Sequence, residues 1–311
     1  MSRFVNVMSG GRVAKDWHEK PLIKKNAKIV AALGGMKADL DWAKEMGLTV
    51  KPDVLKLYDG MEREFTNAGS GKSPAKWLEA EDRLLKNASR AAAALRKFVA
   101  DAEPAAEKAM MVNAIGADHF DTSLKETAAQ IKKIGARVDV LSEAEIVAIR
   151  IYTQWKPPDY EDMNKMYRGE AVTGDPAKIR AKIKVLEKAM SKLPVYTATQ
   201  PTNRLDKGPP GWPGWPKIYA GYNVGSEMTV AAFWSTGKTG TINSSAKGKI
   251  FWTVYGGSGR DIDALSQLKG EGGGEVLYPP NARFKVESTS FEEDPDGETK
   301  TWRLTVREVV P

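Results

Sequence analysis

Cysteine is absent from this chain. That excludes disulfides, thiolate metal sites and cysteine nucleophiles together. Only two histidines occur, His18 and His119, far apart in sequence. A histidine metal centre or a Ser-His-Asp triad is therefore not expected, and both read as surface or packing residues. No apolar run approaches the roughly 18 residues that mark a membrane-spanning helix. The opening Met1-Ser2-Arg3-Phe4-Val5-Asn6-Val7 lacks the basic stretch and long apolar segment of a secretory signal. Export, if it occurs, is expected to follow a signal-peptide-independent route. Strand–helix–strand alternation is missing too, which argues against a doubly wound nucleotide fold. Any chemistry has to run on carboxylates, arginine, lysine and hydroxyls.

What is present fits a globular chain. Its 311 residues are 41% hydrophobic and 28% charged, enough for two ordinary domains with separate cores. The formal charge of +7 suits nucleic acid, anionic lipid or an acidic protein, and suits a lysine-rich solvated surface equally well. Charge alone selects no function.

The first part reads as helix. Asp39–Met46 stops at Gly47 with Pro52 soon after, and Gly69-Ser70-Gly71-Lys72-Ser73-Pro74 reads as a loop. That loop contains Gly-Lys-Ser but no glycine at the distance a phosphate loop requires, so it reads as a linker. From Ala75 to Ala102, Trp77, Leu84, Leu85, Ala88, Ala92, Leu95 and Val99 recur at helical spacing. Pro104 is expected to interrupt this helix. A helical stretch then runs from Ser123 to about Lys192. Within it Ser142-Glu143-Ala144-Glu145 is a capping box, flanked by Leu141 and Ile146 as a hydrophobic staple.

After Pro194 the pattern turns to strands. Phe251–Tyr255 is β-branched and aromatic, Arg283–Glu287 alternates, and Thr301–Arg307 puts Trp302, Leu304 and Val306 on one face. Asp294-Pro295-Asp296-Gly297 is a turn between strands. Helices followed by strands indicate an α+β domain with a largely antiparallel sheet.

Several of these segments, in order, resemble the arginine–serine–glutamate class of bacterial mono-ADP-ribosyltransferase toxins and effectors. Leu141–Thr153 resembles the family helix ending in Tyr-Thr, and Tyr160–Gly169 the next, with its Tyr, Asn and Arg-Gly. Leu193-Pro194 would introduce the first core strand. Phe233-Trp234-Ser235-Thr236-Gly237 is similar to the Phe-x-Ser-Thr-Ser element, with glycine at the last place. Asp261–Gln267, then Glu275-Val276-Leu277-Tyr278-Pro279-Pro280 and Arg283-Phe284-Lys285-Val286, resemble the acceptor loop, the catalytic glutamate and the strand pair that follows. The resemblance covers roughly Ser123 to Val310, and residues 1–122 lie outside it.

The resemblance implies an ADP-ribosyltransferase-like split antiparallel β-sandwich with a helical lobe, residues 119–311. An all-α domain over residues 1–118, for targeting, secretion or docking, would precede it. It implies NAD⁺ as substrate, no metal, Glu275 as the catalytic carboxylate and Ser235 as the hydroxyl that orients it. Thr236 and Trp234 would lie at the cofactor. For the family arginine, strict spacing selects Thr202 and a two-residue shift selects Arg204. Arg204 is preferred because a guanidinium can fork onto phosphates, against the alternative of a surface arginine. Ser235 taken alone reads as a strand-end turn, and Glu275 as a solvated side chain beside a glycine turn. Trp212 and Trp215 would stack on adenine or pack on the sheet edge, and Thr239–Lys249 reads as a mobile loop near the cleft.

One departure concerns the acceptor. Arginine-modifying members carry Glu or Gln two residues before the catalytic glutamate, and here that residue is Gly273. Either Glu271 serves instead as acceptor-activating carboxylate, or the acceptor is not arginine, or the sequence is an altered form. The implied activity is NAD⁺-dependent transfer to a target protein, by a toxin or effector working in the cytoplasm of a target cell, with a cognate immunity protein as a further partner. The alternatives are NAD⁺ glycohydrolysis, or an inactive module binding a partner or nucleic acid.

Overall fold

In the computed structural model the described residues are 19–45, 47–67, 74–134, 138–154, 159–197, 199–207, 222–239, 241–242, 249–267, 274–293 and 300–309. They form two compact units, Met1–Ala106 and Glu107–Pro311. His18, the loop at 69–73, Trp212, Trp215, the turn at 294–297, Glu271 and Gly273 lie outside the described residues, as does most of 239–249.

The first unit is helical: α1 (Glu19–Glu45), α2 (Pro52–Asn67) and the first part of α3 (Pro74–Ile115). Ile29, Leu33 and Met36 of α1 pack with Tyr58 and Met61 of α2 and with Leu84, Ala88, Ala92, Leu95 and Val99 of α3. The i, i+3, i+4, i+7 spacing of the last set builds the buried stripe. The expected break at Pro104 does not occur, because α3 continues through it to Ile115. Pro104 is exposed, so water can bond the carbonyl that the missing N–H leaves without a partner.

The second unit sets helices against two sheets among the described residues. Among the described residues the helical stretch expected over 123–192 comprises α4 (Ala117–Ile134), α5 (Glu143–Tyr152), α6 (Asp159–Tyr167) and α7 (Pro176–Lys192). Local chemistry explains two of the starts. Glu145 N–H donates to Ser142 Oγ at 3.3 Å while Ser142 N–H donates to Glu145 Oε2 at 2.7 Å, the reciprocal capping box. Asp175 caps α7, accepting from Ala177 N–H at 2.8 Å with Pro176 at the first helical position. Glu145 is fully buried and meets Lys192 Nζ at 2.7 Å, which compensates its charge.

The larger sheet has the order β2-β8-β9-β5-β1-β4, from β1 (Thr202–Lys207), β2 (Glu227–Val230), β4 (Thr241–Ile242), β5 (Lys249–Tyr255), β8 (Ala282–Glu293) and β9 (Lys300–Glu308). The smaller has the order β3-β7-β6, from β3 (Trp234–Gly237), β6 (Arg260–Asp261) and β7 (Glu275–Tyr278). Most neighbours are antiparallel, but β5–β9 and β1–β4 run parallel. Leu193-Pro194 does not open a core strand directly. Val195 makes one isolated bridge to Arg260, and the first strand begins at Thr202.

Two cores meet at β3 and β7, whose alternate residues face opposite ways. Phe233 and Leu277 join the helical lobe with Val147, Ile151 and Leu186. Trp234, Val276 and Tyr278 join Trp252, Phe284, Leu304 and Val306 between the sheets. Ring centroids 5.5 Å apart at near-perpendicular angles relate Trp234 to Trp252 and Tyr278 to Phe284, the edge-to-face arrangement aromatic pairs favour.

Candidate active site

Glu275 opens β7 at the seam between the helical lobe and the smaller sheet. The chain enters it through Gly274, whose φ of +114° suits glycine alone. A Cβ there would stand 2.9 Å from the Lys238 side chain. Antiparallel pairing sets Gly237 opposite Glu275 and Ser235 opposite Leu277. Ser235 and Glu275 therefore share the face that looks toward the helices, while Trp234 and Thr236 share the other.

Glu275 is 1% exposed. The Ser266 hydroxyl donates to its Oε2. Its Oε1 is buried and has no hydrogen-bond partner among the described residues. Burial pushes the carboxyl above its ordinary range, the Ser235 and Ser266 hydroxyls and the Arg204 charge pull it back, and Asp263 adds to the rise.

Arg204 reaches the same place from β1. Its Nη1 donates to the Ser235 carbonyl at 2.8 Å, and its Nε donates to Asp206 Oδ1 at 2.6 Å. Asp206 is held by the Trp252 indole N–H at 2.9 Å. Thr202, the strict-register alternative, is buried, with Val254 O at 3.5 Å and Tyr278 Oη at 3.4 Å. It is a core residue, and the guanidinium that meets Ser235 is that of Arg204.

Of the residues the sequence singled out, Arg204, Ser235 and Glu275 come together, and Trp234 and Thr236 do not. Trp234 is 7% exposed and packs among Trp252, Tyr278 and Phe284. Thr236 Oγ1 donates across the strand pair to Val276 O at 3.2 Å. The cause is strand alternation: once Ser235 faces the helical lobe, its neighbours must point into the sandwich.

Several neighbours carried no role in the sequence reading. Tyr152, the tyrosine of the Tyr-Thr pair, donates to Phe233 O at 3.3 Å and accepts from Asn164 at 3.2 Å. Burial pushes its hydroxyl far above the ordinary tyrosine value. Asp206 was equally silent, and Ser266 stood only as part of the acceptor-loop resemblance at Asp261–Gln267, with no role toward Glu275. Their signal is a contact between distant segments, which no local spacing encodes. His119 proves to be a packing residue, 3.0 Å from Gln154. Among the described residues no cluster of His, Cys, Asp and Glu has the makings of a metal site, and no helix is long and apolar enough to cross a membrane.

No protein-family model matches the chain. Two curated relatives do. A putative NAD(+)–arginine ADP-ribosyltransferase, Mav, of Mycobacterium avium (strain 104) is 28% identical over 160 residues, 49% of this chain and 17% of that protein. The NAD(+)–protein-arginine ADP-ribosyltransferase Tre1 of Serratia proteamaculans (strain 568) is 27% identical over 183 residues, 57% of this chain and 36% of that protein. The chain resembles bacterial ADP-ribosyltransferases. It spans well under half the length of either curated relative. Among solved structures, the type III effector XopAI from Xanthomonas axonopodis pv. citri aligns over 84% of this chain and 95% of its own, with 18% identity and a TM-score of 0.49.

Proposed function

We propose that the chain is an NAD⁺-dependent mono-ADP-ribosyltransferase, a toxin or effector that modifies a protein inside a target cell. One observation carries this reading: a fully buried carboxylate, Glu275, with one oxygen bonded and the other without a partner, beside Ser235 and Arg204. Cleavage of the nicotinamide–ribose bond leaves positive charge on the ribose. A desolvated, fixed carboxylate stabilises that charge far better than one in water. Glu275 Oε1 is the acceptor atom that remains for a ribose hydroxyl. Arg204, braced by Asp206, supplies the charge that the NAD⁺ phosphates need. Ser235 acts on the glutamate and adjoins the nicotinamide end.

The reaction balances simply. The glycosidic bond breaks, nicotinamide leaves with the bonding electrons, and the acceptor's nucleophile attacks the ribose carbon and releases a proton. The names of the two curated relatives make arginine the acceptor to test first. Gly273 offers no side chain to polarise a guanidinium, which is protonated and a poor nucleophile. We therefore assign Glu271, the nearest upstream carboxylate, as the group on which arginine transfer would depend, and expect such transfer to be weak. The region 1–118 is assigned to targeting, secretion or docking. An immunity protein or nucleic acid as partner has no observation in its favour.

Incubation with labelled NAD⁺, alone and then with target-cell lysate, tests the proposal. Transfer predicts nicotinamide release together with a labelled protein band. Release with no labelled protein would instead mean that water is the acceptor, and no release would mean a binding module.

A further inference from the structure

Arg150 is a buried charge away from the substrate site. It sits on α5 at 4% exposure, and such a group persists only with bonded partners. Its Nη2 donates outward to Glu126 Oε2 at 2.9 Å. Its Nη1 donates inward to the carbonyl of Ser266 at 3.2 Å and to Gln130 Oε1 at 3.3 Å. Gln130, from α4, donates its amide to the carbonyls of Ser266 at 2.9 Å and Asp263 at 3.2 Å. The Thr153 hydroxyl accepts from Gln267 N–H at 2.9 Å and donates to Arg150 O at 2.9 Å. Three side chains of the helical lobe thus grip the backbone of one turn, 263–267. The side chain this turn sends to the site is Ser266, itself 1% exposed, whose hydroxyl donates to Glu275.

We propose that Ser266, held by Gln130 and Arg150, is the positioning residue that fixes the Glu275 carboxylate for NAD⁺ cleavage. This rests on the reading of Glu275 as the catalytic carboxylate. A carboxylate on a flexible side chain rotates about its last bond, and a charge-assisted bond to one oxygen sets its plane. With Oε2 held, Oε1 is the oxygen presented to the substrate, and the helical lobe transmits its rigidity to the reacting group.

The test uses the full chain with Ser266→Ala, Ser266→Thr, Gln130→Met and the control Glu275→Gln, with nicotinamide release measured across pH. Ser266→Ala should lower kcat by about 10-fold or more and leave KM for NAD⁺ nearly unchanged. Its acidic limb should move to higher pH, because the lost donor favoured the ionised form. The other groups around Glu275 stay constant in that comparison: Arg204 on β1, Ser235 on β3, Tyr152 on α5, Asp263 of the turn, and Lys238, which pairs with Asp261 and Asp263. Ser266→Thr retains the hydroxyl and should restore both kcat and the limb, and Gln130→Met should fall between. Wild-type kcat and pH profile in Ser266→Ala, with Glu275→Gln inactive, would overturn the proposal and leave the catalytic reading standing. A loss that Ser266→Thr does not restore, or one confined to KM or thermal stability, would overturn it too. Equal activity in Glu275→Gln and wild type would bring down the reading of Glu275, and the proposal with it.

Discussion

Replacing Glu275 by glutamine separates function from stability at one side chain. The variant keeps the size of the group and removes its charge. Loss of a preorganised electrostatic contact of this kind lowers turnover by about 10²–10³-fold, roughly 3–4 kcal/mol in the barrier. Stability should move the other way. Burial is the largest influence on this carboxyl and raises its folded-state pKa above the unfolded value. The protonated form therefore favours the fold, fully below the unfolded pKa, and that contribution is lost as pH rises through the folded value. At neutral pH the ionised side chain costs stability, partly offset by Ser235, Ser266 and Arg204. Glutamine is spared the charge desolvation, and a gain of about 1 kcal/mol is the scale set by one unsatisfied buried polar group. For a domain of this size that raises the melting temperature by roughly 2–4 °C. The increment should shrink toward pH 4, where wild type protonates as well. Nicotinamide release and thermal melts at pH 7.5 and pH 4.5 check both halves. A fully active variant would refute the electrostatic role, and an unchanged or lower melting temperature at pH 7.5 would refute the argument from burial.

Arg204→Ala should weaken NAD⁺ binding strongly in a calorimetric titration, since it removes the guanidinium proposed to hold the dinucleotide phosphates. Thr202→Val should bind NAD⁺ nearly as wild type while melting earlier, because it leaves the Tyr278 hydroxyl without that partner; the reverse ranking would restore the strict register. A chain beginning at Glu107 should fold and cleave NAD⁺. One beginning at His119 loses Met111, which is fully buried, and Glu107, which meets Lys188 at 2.6 Å, so its melt should come markedly earlier; equal stability of the two would contradict that packing. Gly273→Glu should raise labelling of the small guanidino acceptor agmatine by about 10-fold or more. Strong labelling by wild type that Glu271→Ala abolishes, with hydrolysis spared, would show that Glu271 already does this work.

Local sequence signals determined the pieces of this protein. The helical stripe from Leu84 to Val99, the capping box at Ser142 and Glu145, the β-branched and aromatic strand at 251–255 and the alternating strand at 301–307 were legible because each depends on residues a few positions apart. Missing cysteine and scarce histidine had already confined the chemistry to carboxylates, hydroxyls, arginine and lysine. Four matters needed the tertiary structure. Helix α3 runs through Pro104, although the proline argues locally for a break. That Arg204, and not Thr202, meets Ser235 is set by packing across two sheets. Trp234 and Thr236 left the cleft because the strand's alternation became fixed only when Ser235 faced the helices. The grip of Gln130 and Arg150 on the Ser266 turn joins residues more than a hundred positions apart. Spacing along a chain encodes which face of a helix or strand a residue occupies. Only packing decides what that face meets, and the burial that raises the Glu275 pKa is a property of the assembled seam.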